Sequence, residues 1–89
     1  MNSSNKFYYL YCLINISSEP SLNGEINCKL FKSYESAHNY LEHSLIEETN
    51  ETFDQTETIR ISDDYVILWL NNHHTEGVIY QITTIQPND

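Results

Sequence analysis

Four histidines, two cysteines and a large excess of carboxylates are the side chains here with the types to do chemistry. His38 and His43 lie five apart on a stretch of helical period, which turns them about 140° away from each other and denies them a shared metal. His73 and His74 are adjacent in a loop-like stretch and point in different directions. Cys12 and Cys28 fall inside apolar stretches, where thiols serve as inert packing groups. Thirteen Asp and Glu against four Lys and Arg make neighbouring carboxylates frequent. None has the apolar surroundings that would split two carboxylate pKa values into an acid and a base. Gly24 and Gly77 are isolated and supply no run of backbone N–H groups for a phosphate. The expectation is a non-enzymatic protein with no catalytic residue, no metal and no cofactor.

A formal charge of −9 repels a phosphate backbone and an anionic membrane surface, so neither nucleic acid nor membrane is an expected partner. No stretch approaches the roughly 20 apolar residues of a membrane span. The run Phe7 to Ile16 is interrupted by Asn15 and hydroxyl groups, unlike a secretory leader. A cytoplasmic location follows as an expectation, and with it reduced thiols at Cys12 and Cys28.

The elements that must position these side chains are read from periodicity. Phe7 to Ile16 is rich in aromatic and β-branched residues and apolar at odd and even positions, which predicts a central strand buried at least partly on both faces. Ser17 to Gly24, with Pro20 and Asn23-Gly24, reads as a loop. Glu25 to Phe31 alternates, with Ile26, Cys28 and Leu30 on one side. A hairpin about Pro20 then sets Leu10 against Leu30, Cys12 against Cys28 and Ile14 against Ile26.

At Phe31 the apolar period changes from two to about 3.6. Ser33 is the expected N-cap and Glu35 suits the positive end of the dipole. The helix is predicted from Tyr34 to about Glu48. Ala37, Leu41 and Leu45 form its inner stripe beside Tyr34, Tyr40 and Ser44, while His38, Asn39, Glu42 and His43 face outward. Thr49 to Thr56 reads as a polar loop anchored by Phe53. Thr58 to Ile61 is a short strand before an Asp63-Asp64 turn. Tyr65 to Leu70 and Val78 to Ile85 form a hairpin, with Leu70 against Val78, Leu68 against Tyr80 and Val66 against Ile82, and Pro87 closes the fold. The chain is expected to be one small domain with flexible ends at 1–6 and 86–89. Its class is α+β: one antiparallel sheet of four to five strands in ββαβββ order, with a single helix packed on one face.

The junction Phe31-Lys32-Ser33-Tyr34-Glu35-Ser36-Ala37, followed by Tyr40-Leu41 and the closing stretch Tyr80-Gln81-Ile82-Thr83-Thr84-Ile85, resembles small uncharacterised proteins of bacteriophages and large DNA viruses. Those proteins combine a strand hairpin, an F-x-S-x-x-x-A helix and closing strands. The resemblance implies no activity. Because such families contain many host-interaction and anti-defence proteins, it implies a viral protein acting in the host cytoplasm on a host protein.

Two functions are expected from the residues. One helix cannot cover a sheet of four or five strands, so an aromatic face carrying Tyr9, Tyr11, Tyr65, Ile67, Trp69 and Ile79 is left for a partner. That predicts a homodimer, or a complex with a host protein, with Trp69 near the centre of the interface. The alternative is an acidic mimic of nucleic acid, in which Glu35, Glu42, Glu47, Glu48, Glu51, Asp54 and Glu57 stand in for phosphates and occupy the cleft of a nucleic-acid-binding defence protein.

Overall fold

Ser33 starts the helix. Its hydroxyl accepts the backbone N–H of Ser36 at 3.1 Å, capping one of the free donors of the first turn. In a computed structural model that describes residues 7–52 and 56–86, the elements are β1 (Tyr8–Ile16), β2 (Ile26–Phe31), α1 (Tyr34–Glu51), β3 (Glu57–Ser62), β4 (Tyr65–Trp69) and β5 (Gly77–Ile85). The expected arm at 1–6, Phe53 as an anchor, the carboxylate of Asp54 and the closing role of Pro87 lie outside the described residues. The helix runs three residues beyond the predicted Glu48. Thr49 and Thr52 bond back onto its last turns: the Thr49 hydroxyl donates to the Leu45 carbonyl at 2.8 Å, and the Thr52 hydroxyl donates at 2.9 Å to the Glu48 carbonyl, one of the groups that a helix end leaves open.

All five strands join one antiparallel sheet in the order β2-β1-β5-β4-β3, an α+β fold with one helix. The chain leaves the sheet at edge strand β2 and returns at the opposite edge, β3, so α1 crosses the whole sheet. Eighteen residues span about 27 Å at 1.5 Å per residue, enough to cross four inter-strand gaps of about 4.8 Å each.

The first hairpin has the predicted register, with Leu10 opposite Leu30, Cys12 opposite Cys28 and Ile14 opposite Ile26. Its loop closes on a bulge. Gly24, at φ 83°, donates its N–H to the Asn15 carbonyl at 2.8 Å, while the Asn15 N–H reaches the Glu25 carbonyl at 2.9 Å. Glycine suits that left-handed backbone.

The second hairpin differs from expectation by two residues: Leu68 faces Val78 and Val66 faces Tyr80. The loop explains the shift. The Leu70 N–H bonds the Glu76 carbonyl at 2.8 Å, and Asn71 bonds both the backbone N–H and the hydroxyl of Thr75. These bonds close the turn one residue earlier on each strand. A two-residue slip keeps every side chain on its own face.

Ala37, Leu41 and Leu45 of α1 pack on Tyr11 of β1, Val66 and Leu68 of β4, and Val78, Tyr80 and Ile82 of β5. An aromatic rim extends the cover toward β2. Tyr40 stands edge-on to Tyr11 at 5.0 Å and lies 5.3 Å from Phe31, and the Lys29 ammonium sits 4.7 Å over the Tyr40 ring. Burial raises the pKa of the Tyr11 hydroxyl, with Ser44 close enough to oppose part of the rise. That hydroxyl nevertheless makes no hydrogen bond among the described residues.

Leu41 is fully enclosed, so Leu41→Ala should cost about 2–5 kcal/mol in urea unfolding. Tyr11→Phe keeps the ring and removes only the unpaired hydroxyl. It should leave stability within about 1 kcal/mol of wild type or raise it, and a loss above about 2 kcal/mol would show that the hydroxyl is bonded.

Candidate protein-interaction surface

Strand register sets five isoleucines in a row across the face of the sheet away from the helix. Ile26 faces Ile14, Ile14 faces Ile79, Ile79 faces Ile67 and Ile67 faces Ile59, one from each strand. Alternation then sends Leu10, Cys12, Cys28, Leu30, Tyr65, Gln81 and Thr83 to the same side. No residue of this set is ionised at neutral pH except the cysteines when deprotonated, and burial with the neighbouring Cys28 sulfur pushes the Cys12 thiol up to about 11. Ile26 and Leu30 remain 57% exposed. An apolar face of five strands, each five to nine residues long, is larger than the scattered apolar positions of an ordinary surface.

Of the six residues predicted for this face, Tyr65, Ile67, Trp69 and Ile79 lie on it. Tyr9 and Tyr11 do not. They point to the helix side, where Tyr11 is in the core and Tyr9 packs against it, with Tyr9 also edge-on to Tyr34 at 5.8 Å. The apolar neighbours of β2 are on the open side instead. Trp69 is also off-centre: it ends β4 opposite Gly77. A Cβ on Gly77 would approach its ring to 2.7 Å. The His74 ring stacks on the indole at 4.7 Å, from a residue with φ 56°, and bonds Glu57 at 2.8 Å. The middle of the face is Ile79, flanked by Ile14 and Ile67. The sequence offered the first-hairpin register, which sets Ile14 against Ile26, but the expected second-hairpin register would have set Ile79 against Trp69, and nothing local showed the β1–β5 pairing that joins the two hairpins into this row.

The acidic set is dispersed. At 100° per residue, Glu35 and Glu42 fall on one flank of α1 and Glu47 and Glu51 on the other. Glu57 belongs to the opposite side of the sheet, beside Trp69. Glu42 does not face outward freely. Both its oxygens accept from the Arg60 guanidinium at 2.8 Å, which lowers its pKa. Its neighbour His38 stacks on Tyr34 at 5.7 Å rather than standing clear. Glu48 is half-buried near Tyr80, whose pKa is raised by burial and then by that carboxylate.

A groove of about 330 Å³ runs between Leu45, Ile46, Thr49 and Asn50 of α1 and Thr58 and Arg60 of β3. Its one charged group is already engaged by Glu42. Among the described residues no cluster of three His, Cys, Asp or Glu could hold a metal, and no described helix is long and apolar enough to cross a membrane. No protein-family model, curated protein or solved structure matches the chain.

Because Glu42 ionises at lower pH in the folded chain than in the unfolded one, its pair with Arg60 stabilises above the unfolded carboxylate pKa and stops doing so as pH falls through the folded value. Arg60→Met should therefore cost about 0.5–1 kcal/mol at about pH 7, after solvent screening, and progressively less toward about pH 3. Parallel urea titrations across that range test the slope.

Proposed function

We propose that this chain is a non-enzymatic protein-binding module that works through its uncovered sheet face, with a second copy of itself as the partner. The observation that carries the reading is the five-isoleucine row, which no other element among the described residues covers. Area supports it. Five strands at about 4.8 Å spacing and up to about 30 Å long give a face of roughly 500–700 Å², close to the roughly 800 Å² that each partner contributes to a stable interface.

Charge supports it as well. The chain carries −9, yet the middle of this face carries none, so two copies can meet there without opposing like charges. Repulsion between the acidic outer surfaces is weakened by salt over about 8–10 Å. Two such sheets would stack about 10 Å apart with a helix on each outside. The resemblance to small viral proteins extends the proposal to a viral role in the host cytoplasm, with a host protein as the other occupant of the same face. The dispersal of the carboxylates among the described residues counts against the nucleic-acid-mimic alternative, which needs them on one face.

Sedimentation equilibrium at about 100 μM should find a dimer, and Ile79→Lys should weaken it at least about 30-fold. Because Ile79 lies on a central strand, Ile26→Lys on the exposed edge provides a second variant with less demand on folding. A monomeric wild-type chain at that concentration overturns self-pairing. So does a dimer that both lysine variants leave intact.

A further inference from the structure

Cys12 and Cys28 stand directly opposite each other on neighbouring strands, with their sulfurs 2.8 Å apart. Their type of pairing follows from the hydrogen bonds of the hairpin. Asn15 and Glu25 form a bonded position, through the Asn15 N–H and the Glu25 carbonyl at 2.9 Å. Bonded and non-bonded positions alternate along an antiparallel pair. Three steps away, Cys12 and Cys28 therefore occupy a non-bonded position, where side chains are closest and Cα atoms are about 4.5 Å apart. That spacing falls inside the window of about 4.4–6.8 Å that a disulfide requires. Cys28 is exposed and Cys12 partly so, and both are free thiols.

We infer that this pair is a reversible oxidation site, in which a low-molecular-weight disulfide converts the two thiols into a Cys12–Cys28 bond that pins the edge strand β2 to β1. The exposed Cys28 meets the reagent first. Its thiolate attacks one sulfur of RSSR, forms a mixed disulfide and expels RS⁻. Cys12, having lost its proton to solvent, then attacks the Cys28 sulfur, closes the intramolecular bond and expels the second RS⁻. Two electrons pass from the protein to the reagent, and the two thiol protons account for two RSH. Burial of Cys12 keeps its thiol protonated at neutral pH, so exchange should quicken as pH rises.

The consequence is structural. All of β2 from Ile26 to Leu30 is exposed, and the strand has a sheet neighbour on one side only. A bond closing the loop between residues 12 and 28 removes freedom chiefly from the unfolded chain. The inference is independent of the pairing of the sheet face, although a partner copy would cover these sulfurs.

The test incubates the full chain with oxidised glutathione, then reads intact mass, resistance to alkylation and Tm. Expected are a loss of two hydrogens, two blocked thiols, and a Tm higher by about 10 °C, all reversed by dithiothreitol. Cys12→Ser should stop at the glutathione adduct on Cys28. Running Ile79→Lys in parallel separates a pair shielded by a second copy from one that does not react. Two alkylatable thiols after oxidation in both chains overturn the inference. So does a disulfide-linked dimer in place of the intramolecular bond, or an intramolecular bond without a rise in Tm.

Discussion

A single helix about 10–12 Å across packs on a sheet with four inter-strand gaps of about 4.8 Å each, and the distribution of side chains follows from that mismatch. The helix supplies only Ala37, Leu41 and Leu45 as buried residues. The remaining cover on that side comes from rings reaching sideways: Tyr34 toward Tyr9, and Tyr40 toward Tyr11 and Phe31. On the β3 side the bidentate Glu42–Arg60 pair ties the helix to the strand. A large aromatic covers more area per ordered side chain than an aliphatic one, which suits a chain with so little helix.

The same limitation applies more strongly to the other side, which has no helix among the described residues. Polar side chains would have been the simple solution there, as in many antiparallel sheets with one wet face. Instead the strands put isoleucines at each position of one row, and the charge of the chain is displaced to the helix, the rim and the turns. The two edges differ. β3 is interrupted between Arg60 and Ser62 by a register shift, which disfavours pairing with another strand. β2 has no such break, and its lysine is drawn over Tyr40.

Much of this was legible from local signals. The cap at Ser33, the stripe at Ala37, Leu41 and Leu45, and the first-hairpin register each depend on a few neighbouring residues. What was not legible depended on choices between faces. β1 is apolar on both sides, so its alternation could not say whether Tyr9 and Tyr11 or Leu10, Cys12 and Ile14 met the helix. The clean alternation of β2 gave no help, because its apolar side turned out to be the uncovered one. The two-residue slip in the second hairpin was hidden for a related reason: both registers give the same faces, and hydrogen bonds among Leu70, Asn71, Thr75 and Glu76 decided between them. The helix end escaped because threonines that favour strands and loops bonded back onto the preceding turn.

The pairing of β1 with β5 brings together the first and last strands, from Tyr8 opposite Ile85 to Ile16 opposite Gly77. During synthesis, β1 therefore emerges long before the strand that will lie beside it in the centre of the sheet. Until then its two apolar sides have only the β2 hairpin and the incoming helix as company. Contacts this far apart in sequence slow the search for the native arrangement. They also lengthen the time for which a nascent chain shows sticky surface to chaperones and to its own neighbours. A ribosome stalled before Gly77 would have made the β1–β2 hairpin, the helix and the β3–β4 pair but not the strand that joins the two halves of the sheet.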